Sequence, residues 1–221
     1  MPKVGVVLSG CGVMDGSEIH ESVLTLLALA KAGAQAVCMA PNTEQLHVIN
    51  HLTWEETKEK RNVLVESARI ARGKIRDLKE VKEKELDALI FPGGYGAVKN
   101  LCTFAVDGTD CQVHPEVARL VREVHKAGKP IGALCIAPAL VAKIFEGAGI
   151  GLTIGKDKET AQALAKLGQK HEECEVGEAW IDPDHKIVTT PAYMLARNVA
   201  EAWQGIEKLV KEVLKFEKQH S

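Results

Sequence analysis

What this 221-residue chain lacks narrows its function first. It has no long basic tract and a formal net charge of −2, so it offers a nucleic-acid backbone no positive surface. Its longest nearly apolar run, "ESVLTLLALAKAGA", is too short and too interrupted by polar residues to span a bilayer. Neither nucleic acid nor membrane is expected as a partner. The opening "MPKVGVVLSG" enters a strand pattern directly, with no leader of the secretory or transit type, and predicts a cytoplasmic protein. No CxxC pair and no Cys/His cluster of zinc spacing occurs among the six cysteines, which reads as spread, reduced thiols and no metal site. His47 and His51 flank "VIN", a strand-like run, and make no ligand set. There is no GxGxxG turn and no phosphate-binding lysine loop, so no nucleotide or other cofactor is expected. Internal repeats and low-complexity segments are also missing, and the length fits a single domain over residues 1–221.

What is present alternates between two patterns. "KVGVVLS", "AQAVCMAP", "LDALIFPGG", "IGAL" and the hairpin "EAWIDPDHKIVTTP" read as strands, most of them apolar throughout. Between them lie helical runs. "SEIHESVLTLLALAKAG" is capped by Ser17, stopped by Gly33, and expected to bury Ile19, Val23, Leu26, Leu27 and Ala30. "NVLVESARIARG", "PEVARLVREVHKAGKP", "APALVAKIF" and "DKETAQALAKLG" follow, and a last helix is expected from about Met194 to Phe216. Apolar strands alternating with helices predict an α/β three-layer sandwich with a mostly parallel sheet covered on both faces. Ligands of such sheets bind beyond the carboxyl ends of the strands. Three loops meet that rule: "SGCGVMDGSE", "PGGYGAVKN" and "CIAP".

Cys135 sits where a strand turns into a helix, with Pro138 suited to the first helical turn. That is the layout of a nucleophile elbow, with sulfur in place of a hydroxyl. The helix N-terminus is expected to lower the thiol below its ordinary value of about 8.5. If the glycine loop converges on it, the Gly94 and Ile136 N–H groups become oxyanion-hole donors. An acid or base can come from Glu18 or Glu21 at the start of the first helix. Glu21 lies nearer the apolar edge, where desolvation would raise its pKa and suit it to moving protons. Cys11, His20 and Tyr95 are further pocket candidates, and His114 reads as a helix-entry residue.

"PGGYGAVKNL", "GKPIGALCIAPAL" and "KIVTTPAYMLARNVAEA" resemble the ThiJ/PfpI branch of the class I glutamine amidotransferase-like superfamily. "LSGCGVMDGSEIHE" and "RNVLVESARIARGKI" resemble its ElbB subgroup, called enhancing lycopene biosynthesis or sigma cross-reacting protein. The resemblance runs from Lys3 to about Leu214. It implies a flavodoxin-like sandwich, a homodimer, Cys135 as nucleophile with Glu21 against the thiol, and Gly94 and Ile136 at the oxyanion hole. It also implies cofactor-independent glyoxalase activity on small dicarbonyls such as glyoxal; related members have been described as protein deglycases. One position departs from the pattern. Where many superfamily members carry a histidine, this chain has Ile136 just after the cysteine, and Ile154 and Gly155 about twenty residues on. "HEE" at 171–173 is a three-residue match to a glutaminase His-x-Glu. Two rival readings follow: an amidohydrolase, which needs a working imidazole, and a redox-sensing or binding protein with a reactive thiol.

Overall fold

The computed structural model describes residues 1–218. Seven strands form one sheet in the order β10-β11-β7-β6-β1-β2-β5. These are β1 (Lys3–Val7), β2 (Gln35–Ala40), β5 (Arg76–Asp77), β6 (Ala88–Phe91), β7 (Ile131–Leu134), β10 (Trp180–Asp182) and β11 (Ile187–Thr190). All neighbours are parallel except β10, which closes one edge as the antiparallel arm of the expected hairpin. Two small ribbons stand apart: β3 (Ile49–Asn50) with β4 (Glu55–Glu56), and β8 (Gly151–Leu152) with β9 (Lys170–His171). Eight α-helices and four short 3₁₀ turns complete the described residues, the α-helices being α1 (Ile19–Lys31), α2 (Val63–Ile70), α3 (Gly96–Lys99), α4 (Phe104–Asp107), α5 (Pro115–Lys126), α6 (Pro138–Ile144), α7 (Lys158–Lys166) and α8 (Val199–Lys218).

The central strands alternate their apolar side chains between two cores. In β6, Leu89 and Phe91 face a core shared with α5, α6 and α7, while Ala88 and Ile90 face one shared with α1, α2 and α8. Burial on both faces explains why these strands read as unbroken apolar runs. The arrangement is the expected three-layer α/β sandwich with a mostly parallel sheet. Strand order reverses between β1 and β6, so the loops at their carboxyl ends diverge and leave a crevice there.

Three local expectations need correction. The cap of α1 is Glu18, whose Oε2 accepts the Glu21 N–H at 2.6 Å; Ser17 is one residue early and its Oγ accepts the Ser9 N–H instead. Helix α1 also presents the opposite face to the core. It buries Glu21, Ser22, Leu24, Thr25, Ala28 and Leu29, while Ile19, Val23 and Leu27 stand 43%, 48% and 45% exposed. A stripe at helical spacing marks an apolar face but does not say what covers it. Helix α8 starts at Val199, because Ala192–Met194 is a separate 3₁₀ turn.

Candidate functional site

The elbow begins with backbone geometry. Cys135 has φ +58°, a left-handed conformation that costs a side-chain-bearing residue on the order of 1–3 kcal/mol. Bonds on either side hold it there: the Cys135 N–H donates to Thr190 O at 3.0 Å and the Ala137 N–H to Leu134 O at 2.9 Å. Pro138 opens α6 directly behind, where a missing N–H leaves no intrahelical bond unmade.

Glu21 reaches the same point from α1. Its side chain is fully buried and contacts the Cys135 thiol. The Gly93 N–H donates to Oε2 at 2.9 Å and the Tyr193 N–H to Oε1 at 3.0 Å, so both carboxyl oxygens are fixed by backbone. Gly93 is where the two groups close on each other. A Cβ there would lie 2.4 Å from the Cys135 Cβ and 2.5 Å from Glu21 Oε2, so only glycine fits. Gly94, at φ +90°, is crowded in the same way by the backbone of Gly16 to Glu18. Loop lacing sets the register: the Glu18 N–H donates to Gly93 O at 2.9 Å, and the Tyr95 N–H to Val13 O at 2.7 Å. Asn100 braces the first loop with two side-chain N–H bonds, to Ser9 O and Asp15 O.

Electrostatics follow from burial. Desolvation pushes the Glu21 carboxyl up to about 7, with the Tyr193 and Gly93 N–H groups opposing. Cys135 is raised well above its ordinary value by burial first and the Glu21 charge second. The Gly94 and Ile136 N–H groups, both bonded to its sulfur, lower it again. This corrects the expectation of a depressed thiol: the helix N-terminus and two amides do not outweigh loss of water and a facing carboxylate. Cys135 and Glu21 therefore titrate as a pair that competes for one proton. Iodoacetamide alkylation of Cys135 is expected to show an apparent pKa above about 8.5. Glu21→Gln, by removing the facing charge, should lower it by about 1–3 pH units. His20→Ala and His171→Ala should leave it unchanged.

Above the pair lies a cavity of about 650 Å³. Glu18, Gly94, Tyr95, Cys135, Ile136, Tyr193 and Asp157 line it, with an apolar wall from Val13, Val98, Phe104, Val106 and Met194. No Lys, Arg or His is among the described residues lining it. Glu18 reaches the cavity, but its Oε2 is engaged in capping α1, and burial raises its carboxyl. His20 is not a lining residue: its Nδ1 hydrogen-bonds the Tyr193 hydroxyl at 2.8 Å from outside. Cys11 does not line the cavity either. It lies beside Glu66, Arg69 and Asp15, away from Cys135, because its loop turns toward α2. His171 sits in β9 with its Nε2 toward the Ile154 N–H at 3.5 Å, and no imidazole is among the principal groups acting on the Cys135 sulfur. His114 caps α5, accepting the Glu116 N–H, as its place before Pro115 suggested. Three residues escaped the sequence reading: Gly93, Asn100 and Tyr193. Tyr193 had a signal, since it follows the carboxyl end of a parallel strand. Among the described residues no cluster of His, Cys, Asp and Glu could hold a metal ion, and no helix is long and apolar enough to cross a membrane.

The chain matches no protein-family model. It is similar to the human mitochondrial glutamine amidotransferase-like class 1 domain-containing protein 3, at 49% identity over 97% of this chain and 83% of that one. It is 49% identical to the mitochondrial ES1 protein homolog of Rattus norvegicus, covering 97% of this chain and 84% of that one. Among solved structures it resembles an isoprenoid biosynthesis protein with an amidotransferase-like domain from Ehrlichia chaffeensis. That match has a TM-score of 0.90 and 37% identity, covering 97% of this chain and 99% of the other. The DJ-1beta protein of Drosophila melanogaster, at 18% identity and TM-score 0.58, shares the fold. The relatives' mitochondrial names overturn the cytoplasmic expectation, which rested on the strand-like opening of the sequence. With half its residues shared over nearly its whole length, the chain belongs to the family of glutamine amidotransferase-like class 1 domain proteins that includes the ES1 homologues.

Proposed function

We propose that the protein is a cofactor-independent glyoxalase that converts glyoxal to glycolate through a Cys135 hemithioacetal, with Glu21 as the proton carrier. The observation that carries this reading is the buried contact of Glu21 with the Cys135 thiol, its carboxyl pinned by the Gly93 and Tyr193 N–H groups at the foot of a cavity. As the sulfur adds to one aldehyde carbon, its proton passes to Glu21. The oxygen developing on that carbon takes up hydrogen bonds from the Gly94 and Ile136 N–H groups, which face the sulfur in the free protein. Glu21 gives the sulfur's proton to that oxygen, completing the hemithioacetal, and, ionised again, removes the C–H proton and returns a proton to the neighbouring carbon of the resulting enediol. One carbon is oxidised, the other reduced, and the product is a glycolyl thioester. Water releases glycolate and restores the thiol. A carboxyl held near 7 can give and take a proton at neutral pH, which this sequence requires twice.

The amidohydrolase alternative is weaker on two counts. It needs an imidazole at the cysteine, and none is among the principal groups acting on that sulfur. Glutamine also carries an α-carboxylate, whereas the cavity offers Glu18, Asp157 and Glu159 and no lining cation among the described residues. Purified protein given glyoxal should form glycolate, and given glutamine should release no ammonia; the reverse would exchange the two readings.

Within the family we assign the chain to the ElbB-type subgroup and to the mitochondrion. Similarity to the isoprenoid biosynthesis protein supports the first, and the mitochondrial relatives support the second. The protein acts as a homodimer, for which the exposed Ile19–Val23–Leu27 stripe of α1 is the supporting surface. Light scattering after size exclusion should give twice the chain mass, and Val23→Lys should halve it. A monomeric parent would remove the dimer from the proposal.

A further inference from the structure

A second thiol pair lies outside the catalytic centre. Cys102 bridges antiparallel to Val113, and the flanking bonds Thr103 N–H to Gln112 O (3.0 Å) and His114 N–H to Leu101 O (2.9 Å) set the register. Cys111 lies two residues before Val113, which puts its side chain on the same face as Cys102, diagonally across the bridge. The sulfurs are within hydrogen-bond reach of each other. The Cys102 thiol has two acceptors, the Cys111 sulfur and the Ala97 carbonyl at 3.7 Å. Donation from Cys102 lowers Cys111 below the ordinary thiol value against the cost of burial, and the Lys143 ammonium adds to this. Lys143 is anchored beside it by a 2.9 Å bond to Thr109 O. Cys111 forms part of the floor of a surface cavity of about 730 Å³ whose other lining residues include Arg119, Arg122 and Lys143.

The residues between the two cysteines also wall the Cys135 cavity, which Phe104, Ala105, Val106 and Gly108 line. We propose that Cys102 and Cys111 are a reversible disulfide site, oxidised by an anionic organic disulfide of the glutathione class, and that the bond staples this wall. The Cys111 thiolate attacks one sulfur of the incoming disulfide and expels a thiolate. The Cys102 thiol gives up its proton to that released thiolate and attacks the Cys111 sulfur of the mixed disulfide. The second small thiolate leaves, taking a proton from water. Two protein thiols are oxidised to one disulfide, and one small disulfide is reduced to two thiols. Cys111 lines the basic cavity, which favours an anionic oxidant, and Cys102 does not, so Cys102 is the resolving sulfur.

Because no Lys or Arg lies between 100 and 118, both cysteines fall in one tryptic peptide, 100–119. Cys135→Ala protein is incubated with oxidised glutathione under native conditions, then alkylated and digested. The expected product is that peptide lighter by two hydrogens and unalkylated at both cysteines. Cys102→Ser should stop at a glutathione adduct on Cys111, and Cys111→Ser should abolish both species. Amide exchange over 103–110 should slow at least fivefold on oxidation and leave exchange in α8 unchanged. A stable glutathione adduct on Cys111 with Cys102 still free in the unsubstituted pair would overturn the proposal, as would modification of Cys11 or Cys174 while 102 and 111 stay reduced. Unaltered exchange over 103–110 would overturn the stapling.

Discussion

Cys135→Ala is expected to reduce glyoxal consumption by at least about a thousandfold while the protein stays folded, because the substitution removes the only atom that bonds the substrate carbon. Alanine fits the elbow no worse than cysteine. The Cys135 backbone at φ +58° is held by its N–H bond to Thr190 O, which alanine keeps. Removing the sulfur also frees Glu21 from a facing thiol, so stability should change little. Cys38→Ala is the control. Cys38 lies inside β2, and burial pushes its thiol up to about 11, so it should keep parent activity. Circular dichroism and glycolate formation, measured on both variants, check the pair of statements. Activity surviving in a folded Cys135→Ala protein would remove covalent catalysis.

Glu21→Gln is expected to lower turnover by about 10²- to 10⁴-fold, the usual worth of a positioned acid–base group. Glu18→Gln should cost less than about tenfold, since a glutamine oxygen can still accept the Glu21 N–H at the helix cap. By spacing the two glutamates differed only in that Glu21 lay nearer the apolar edge. The structure separates them by what each carboxyl already does: Glu18 caps, while Glu21 faces the sulfur. Glu21→Gln also has a stability signature. Two backbone N–H groups meet the carboxyl, and an amide can accept from only one of them, leaving a buried donor unpaired at about 1–3 kcal/mol. The pH dependence runs in the opposite sense to an ion-paired carboxylate. Glu21 titrates at about 7 in the fold against 4.5 when exposed, so the native state holds its proton more tightly. Its contribution is complete below about pH 4.5 and is lost as pH rises through 7, about 3 kcal/mol over that window. The parent's advantage over Glu21→Gln in urea unfolding should therefore shrink between pH 4.5 and 8. An advantage that grew with pH would mean that Glu21 is ionised and stabilised in the fold.

The layered fold was legible because its signals are local. Strands buried on both faces must be apolar throughout, and Pro138, Asp157 and Gly128 mark helix ends by mechanisms that need no tertiary partner. The elbow at Cys135 was legible for the same reason. Long-range pairings were not. Tyr193 meets Glu21 across 172 positions of sequence, and Gly93 owes its identity to two side chains from α1 and the elbow. Neither fact leaves a mark within a window of ten residues. The buried face of α1 was misread because Ile19, Val23 and Leu27 form the more apolar stripe. The fold turns inward the face that carries Glu21, Ser22 and Thr25, where bonds from Gly93 and Tyr193 hold Glu21, and the Ser22 and Thr25 hydroxyls bond back to carbonyls one turn earlier. The thiol's raised pKa was missed for a related reason: a helix N-terminus is visible in sequence, but the exclusion of water around it is not.

The most direct test of proton transfer through Glu21 at Cys135 is the reaction of glyoxal in deuterated water, with the glycolate analysed by proton NMR and mass spectrometry. If a carboxyl removes the hemithioacetal C–H proton and another is returned to the neighbouring carbon, exchange with solvent leaves one deuterium on the glycolate methylene, and quenched protein carries the mass of one glyoxal on the Cys135 peptide. Glycolate with no carbon-bound deuterium, or turnover with no adduct at Cys135, would contradict it.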